Sequence, residues 1–277
     1  MKIPIVVIVG PTAIGKSHYA VEHALKHNGE IISADSRQVY KGLDIGTGKI
    51  TQKEMLGIPH HLLDVANPKK QFNVEKYKEL AQKAILDIHN RGKLPIICGG
   101  TGFYIDAVVK NISYPNVLHD IKLRKKLENK SLNYLISLLR KSDEKFVQKL
   151  NNSERHNRQR LVRSIEIAKA LGEIPGLKKE KSPYQIKWIK LEMPIEKLEK
   201  RINKRLEKRI KGGMIEEVEN LHKNGLSWKR MEALGLEYRY ISRYLRGLIS
   251  KEEMIKQLQI EIRKYAKRQM LWFRKIK

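Results

Sequence analysis

One cysteine, Cys98, stands in 277 residues. It allows neither an intrachain disulfide nor a multi-cysteine zinc site, and this usage suits an intracellular setting. Long apolar runs are missing as well. Charges interrupt every stretch before membrane length, and the amino-terminal run Ile3 to Val9 is too short to span a bilayer and has no small-residue cleavage site. A cytoplasmic chain with no membrane partner is expected. Aromatics make up only 6% and form no regular stacking platform, so Trp188, Trp228 and the tyrosines are assigned to the core. Acids are scarce: 30 Asp and Glu face 57 Lys and Arg, a formal net charge of +27. Such a field favours polyanions, without choosing among RNA, DNA and an anionic membrane surface. No internal repeat or low-complexity segment is present.

The composition is otherwise that of a globular protein, 41% hydrophobic and 31% charged. The length suits one core with a sizeable elaboration. Ile3-Pro4-Ile5-Val6-Val7-Ile8-Val9 is continuously apolar and β-branched, the pattern of a central parallel strand covered on both faces. Similar runs at Glu30 to Ser33 and Leu94 to Cys98 alternate with helical segments at Ser17 to His27 and Val74 to Asn90. This order predicts an α/β fold with a doubly wound parallel sheet. From Asp120 to Ala170 the pattern is amphipathic helix throughout, an inserted helical domain, and Ile186 to Leu191 is expected to rejoin the sheet. The predicted division is 1–114 for the first part of the core, 115–185 for the insertion and 186–277 for the rest of the core with basic carboxyl-terminal helices. There Ile195, Leu198, Ile202, Leu206 and Ile210 mark one face of a long helix that Gly212-Gly213 stops or bends. Lys197, Lys200, Arg201, Lys204, Arg205, Lys208 and Arg209 are assigned to its outer surface, open between a solvated face and nucleic-acid contact.

The first strand runs into Gly10-Pro11-Thr12-Ala13-Ile14-Gly15-Lys16-Ser17, a full match to the P-loop pattern with a helix-like segment after it. Its glycines let the backbone curl so that amides point inward. Lys16 adds a mobile positive charge and Ser17 a hydroxyl for Mg²⁺. The loop holds a di- or triphosphate, belonging either to a nucleotide triphosphate or to another diphosphate ester. Asp35 follows the second strand at the carboxyl edge of the sheet, where doubly wound folds bind ligands. From position alone it could bind metal, act as a general base or cap a helix. The third strand ends in Cys98-Gly99-Gly100-Thr101, so three strand ends deliver Lys16, Asp35 and Thr101 to one crevice. His60 and His61, adjacent and without cysteine partners, make a poor metal site and are assigned to packing and hydrogen bonding.

These segments, together with Gly42-Leu43-Asp44-Ile45-Gly46-Thr47-Gly48-Lys49, Pro59-His60-His61-Leu62-Leu63-Asp64, Gln159 to Glu166, Ala266-Lys267-Arg268-Gln269 and Trp272-Phe273-Arg274, resemble the tRNA dimethylallyltransferase family nearly end to end. The resemblance implies transfer of a dimethylallyl group from dimethylallyl diphosphate to N6 of the adenosine 3′ of a tRNA anticodon. The P-loop, Gly10, Pro11, Thr12, Ala13, Ile14, Gly15, Lys16 and Ser17, would then hold the leaving diphosphate with Mg²⁺. Asp35 would be the base, with Lys16 and Thr101 beside the reacting groups. The resemblance further implies tRNA contacts at Asp35, Ser36, Arg37, Gln38 and Thr101. In the insertion, a tRNA-binding domain on this likeness, it implies contacts of Arg124, Gln159, Arg160, Leu161, Val162 and Arg163 with the anticodon stem-loop. A monomer is expected. Asn157 and Gly235-Leu236-Glu237-Tyr238-Arg239 depart from the family pattern, which leaves contacts there open. The rival readings are a P-loop small-molecule or nucleoside kinase and an RNA-binding NTPase.

Overall fold

The computed structural model describes residues 2–276, with the side chains of Lys178 and Lys179 left out. In chain order, β1 (Ile3–Val9), α1 (Lys16–Lys26), β2 (Gly29–Ala34), α2 (Gln52–Met55), β3 (His60–His61), α3 (Val74–Asn90), β4 (Leu94–Gly99) and α4 (Gly102–Val109) form the first part of the core. Next come β5 (Ile112–Ser113), α5 (Ile121–Leu127), α6 (Leu132–Ser142), α7 (Glu144–Lys149), α8 (Asn152–Arg155), α9 (Arg158–Leu171) and β6 (Lys178–Lys179). The chain closes with β7 (Tyr184–Lys190), α10 (Ile195–Lys211), α11 (Met214–Lys223), α12 (Trp228–Leu234), α13 (Leu236–Leu245) and α14 (Lys251–Phe273).

Five strands make one sheet in the order β3-β2-β4-β1-β7, every neighbour parallel. β1 is an interior strand, between β4 and β7, because both of its faces can be buried. Ile5, Val7 and Val9 point into the larger core with α3, α4 and the carboxyl-terminal helices, while Val6 and Ile8 join Ala20, Val21 and Ala24 of α1 on the other side. Complete burial of each such Val or Ile side chain contributes about 1.5–3 kcal/mol. β7 pairs with β1 along its whole length, from Ile3 opposite Tyr184 to Val9 opposite Lys190. It starts before the Ile186 expected from the apolar run, because ladder bonds extend a strand that hydropathy alone leaves unmarked. The two-residue β3 carries no periodic signal and exists through its pairing with β2.

The chain divides into two compact units, residues 1–111 with 181–277, and Ile112–Glu180. The second unit starts and ends a few residues before the 115–185 read from sequence, since the antiparallel pair β5 and β6 belongs to it. Its helices enclose a core of their own built on Leu127, Leu135, Leu139, Val147, Leu161 and Ile165. Asn157, where the family pattern is not followed, caps α9 by accepting the Arg160 N–H at 3.1 Å, a role asparagine fills as well as aspartate. Among the described residues no helix is long and apolar enough to cross a membrane.

Candidate active site

The P-loop turns between β1 and α1. Gly15 caps the helix at φ +100°, a conformation glycine enters without steric penalty, and Ala13 sits at φ +65°. The first-turn amides and the positive end of the α1 dipole thus face the loop's interior, the arrangement that binds anions. The Lys16 ammonium donates to the Pro11 carbonyl at 2.9 Å. Burial pushes its pKa down to about 8, with Arg205 pressing the same way and Cys98 and Asp35 opposing. Beneath it, burial pushes the Cys98 thiol up to about 11, a structural rather than reactive cysteine. Ser17 stands exposed in the first turn of α1.

Asp35 leaves the end of β2, and its Oδ1 accepts the backbone N–H groups of Arg37 at 2.8 Å and Gln38 at 3.3 Å. Ser36 N donates to Thr101 Oγ1 at 3.0 Å, so the turn after β2 is fastened to the turn after β4. No helix follows Asp35 for it to cap; its Oδ1 instead closes the turn after β2. The residue also lines a cavity of about 350 Å³ together with Thr12, Ser36 and Arg37.

Gly46 and Thr47 add to the wall, and the rest of it comes from the carboxyl-terminal helices: Arg205 and Arg209 of α10, residues 234–239 around the turn from α12 to α13, and Glu261, Ile262, Tyr265 and Arg268 of α14. Five arginines line it (Arg37, Arg205, Arg209, Arg239, Arg268) against three acids (Asp35, Glu237, Glu261), which favours an anionic occupant. Arg205 hydrogen-bonds the Thr12 hydroxyl, and burial presses its pKa below the ordinary arginine range. Arg209 lies 3.5 Å from Glu237, whose carboxyl is pushed up by burial against the pull of that arginine. Sequence reading placed Arg205 and Arg209 on the outer surface, and the structure corrects this. They flank the apolar stripe of α10, and the edge they occupy faces the cavity, where Thr12, Glu237 and the Gly46 carbonyl receive their charge. The departing segment Gly235 to Arg239 is itself cavity wall. Sequence reading also missed Gln269, although its matching stretch was noted. Its side chain is 6% exposed, accepts from Thr12 N at 2.8 Å and donates to Gly100 O at 2.9 Å.

In the helical unit the six expected residues divide. Leu161 and Val162 are buried, so their side chains serve the core rather than a ligand. Arg124 makes a two-pronged bond to Glu166 at 2.6 and 2.8 Å, and Arg163 joins it at 3.2 Å while donating to Val117 O. Burial works to raise the Glu166 pKa, but the hydrogen bonds from Arg124, Arg163 and His119 hold it at about 2. Gln159 and Arg160 are exposed, the latter paired with Glu154 at 2.7 Å. His60 bonds the Ile58 carbonyl and His61 bonds Glu30, in keeping with packing roles. Among the described residues no group of three or more His, Cys, Asp or Glu could hold a metal ion.

A parallel α/β sheet with a P-loop after β1, an acid after β2 and a hydroxyl after β4 define a P-loop protein. The profile of the family described as "IPP transferase" matches residues 38–276, and the chain belongs to that family. It is 43% identical over 274 residues to "tRNA dimethylallyltransferase 2" of Citrifermentans bemidjiense, covering 98% of this chain and 87% of that relative. To the protein of the same name from Treponema denticola it is 45% identical over 276 residues, covering 98% and 91%. Among solved structures, the tRNA isopentenylpyrophosphate transferase of Bacillus halodurans superposes with TM-score 0.74 at 38% identity, covering 99% of this chain and 88% of that one. A eukaryotic dimethylallyltransferase acting on tRNA gives TM-score 0.81 at 28% identity over 97% and 69% of the two chains.

Proposed function

We propose that the protein transfers a dimethylallyl group from dimethylallyl diphosphate to N6 of the adenosine next to a tRNA anticodon on its 3′ side. The observation that carries this reading is the shared cavity. Thr12 of the P-loop, Asp35 and five arginines line one space of about 350 Å³, enough for a diphosphate ester and one base edge. The N6 lone pair is delocalised into the purine, so attack is helped when a carboxylate takes the N6 proton, and Asp35 fills that role. The C–O bond to the diphosphate breaks as the C–N bond forms, and the electron pair leaves on the diphosphate. Loop amides, Lys16 and Arg205 stabilise that charge. Mg²⁺, when bound, supplies further charge neutralisation, and its protein donor would be the Ser17 hydroxyl, which suits an ion that takes most of its ligands from phosphate and water.

The target adenosine is flipped from the anticodon loop, at about a few kcal/mol, to reach this space. Ser36, Arg37, Gln38 and Thr101 meet it at the mouth of the site, while Gln159 and Arg160, the exposed basic face of α9, contact the stem-loop with Arg124 and Arg163. The protein acts as a monomer in the cytoplasm on this reading. Mass spectrometry of unmodified tRNA treated with the protein and dimethylallyl diphosphate tests it. A gain of one isoprenoid unit on a single adenosine is expected. Phosphate transfer from ATP to a small acceptor, with no such gain, would establish the kinase reading instead.

A further inference from the structure

Three consecutive backbone N–H groups, none of them in the P-loop, converge on one carboxylate. Asp44 N and Ile45 N donate to Glu217 Oε2 at 3.0 and 2.6 Å, and Gly46 N donates to Oε1 at 3.1 Å. The Tyr238 hydroxyl supplies a fourth donor to Oε1 at 2.8 Å. A carboxylate offers about four acceptor positions and no donor, so this set of donors saturates it, which no other side chain of similar size could do. The segment also packs closely against the Tyr238 ring: a Cβ on Gly46 would meet that ring at 2.8 Å.

The other side of the segment faces the cavity. Gly46 O accepts from Arg209 at 3.2 Å, Gly48 O accepts from the Gln38 side chain at 3.3 Å, and Gly46 and Thr47 are cavity wall. We infer that Glu217 is a positioning residue for the transfer reaction. It fixes residues 44–46 so that the Gly46 carbonyl aims the Arg209 guanidinium at the anionic end of the cavity. The inference deepens the proposed function and rests on it for the identity of the anion. Glu217 itself touches no substrate. Its effect reaches the site through the segment and Arg209, and its other partner, Tyr238, is itself cavity wall.

The test is a double-mutant cycle of Glu217→Gln and Arg209→Gln, read as the dissociation constant of inorganic diphosphate by calorimetry. Glutamine has one acceptor oxygen, and its amide N–H groups would oppose the backbone donors. Glu217→Gln is expected to weaken diphosphate about tenfold, and to weaken it no further when Arg209 is already glutamine. Independent, multiplying losses, or no loss in the single variant, would overturn the inference. If Glu217→Gln fails to fold, Tyr238→Phe replaces it in the cycle, removing one donor of the four, with an expected loss of about threefold that again vanishes in the Arg209→Gln background. Should the wild-type protein bind diphosphate but add no isoprenoid to tRNA, the proposed function fails while the cycle still decides the role of Glu217. An active wild type with multiplying losses removes the inference alone.

Discussion

Gln269 holds Thr12 from 257 residues away: its Oε1 accepts the Thr12 N–H at 2.8 Å inside the P-loop. The same amide donates to Gly100 O, tying the loop to the end of β4. Gln269→Leu keeps much of the volume but leaves two backbone groups unpaired where water is scarce. An unpaired buried group costs about 1–3 kcal/mol, so a lower denaturation midpoint and a raised KM for dimethylallyl diphosphate are expected. Chemical denaturation and steady-state transfer assays measure the two effects.

Asp35→Asn separates two duties. An asparagine Oδ1 can still accept from Arg37 and Gln38, so the turn survives, but the amide cannot take the N6 proton. We expect turnover to fall about 10²–10⁴-fold with diphosphate affinity nearly unchanged. Single-turnover transfer beside calorimetric titration checks this, and an unaltered rate would remove Asp35 from the chemistry.

Lys16 donates to the Pro11 carbonyl of the P-loop, the loop proposed to receive the diphosphate. Lys16→Ala is expected to reduce transfer about 10²–10³-fold while tRNA binding, measured by filter retention, stays close to wild type. Equal loss of both activities would contradict this division of labour.

The same lysine sets a pH dependence. Burial holds its pKa at about 8 in the folded protein, against 10.5 for an ordinary lysine. Between those values the unfolded chain binds more protons, so the burden this residue places on stability is full below about pH 8 and is relieved as pH rises toward 10.5. A bound diphosphate favours the charged form. Binding above about pH 8 therefore takes up a proton, and affinity declines as pH climbs. Calorimetry in buffers of different ionisation enthalpy reads the uptake, which should disappear in Lys16→Met.

Gly99 stands opposite Ala34, where β2 pairs with β4 beneath the site. A Cβ there would stand 2.2 Å from the Ala34 carbonyl oxygen, which is backbone and cannot swing aside. Gly99→Ala should cost about 1–3 kcal/mol or more. It should also part the turns that carry Asp35 and Thr101, seen as a lower melting temperature and a fall in turnover together.

Much of the site was legible because it is contiguous. The loop from Gly10 to Ser17 is specified by neighbours in the chain, since consecutive amides can only converge where glycines permit the curl, and its helix follows directly. Strand runs fixed the sheet class, and with it the shared edge at which Asp35 and Thr101 emerge. The apolar stripe of α10 was equally plain. What it could not tell was the partner at each border of the stripe, and so Arg205 and Arg209 read as surface.

The chain order alone, then, determined a parallel sheet, a P-loop and an acid at the same rim. Tertiary structure decided which distant groups complete them: Arg205 on Thr12, Gln269 between loop and strand end, Glu217 under residues 44–46, Glu237 beside Arg209. The reason is physical. Backbone curvature and periodicity are local properties of sequence, whereas the burial of a charge depends on which opposite charge or carbonyl the packed helices bring within about 3 Å of it.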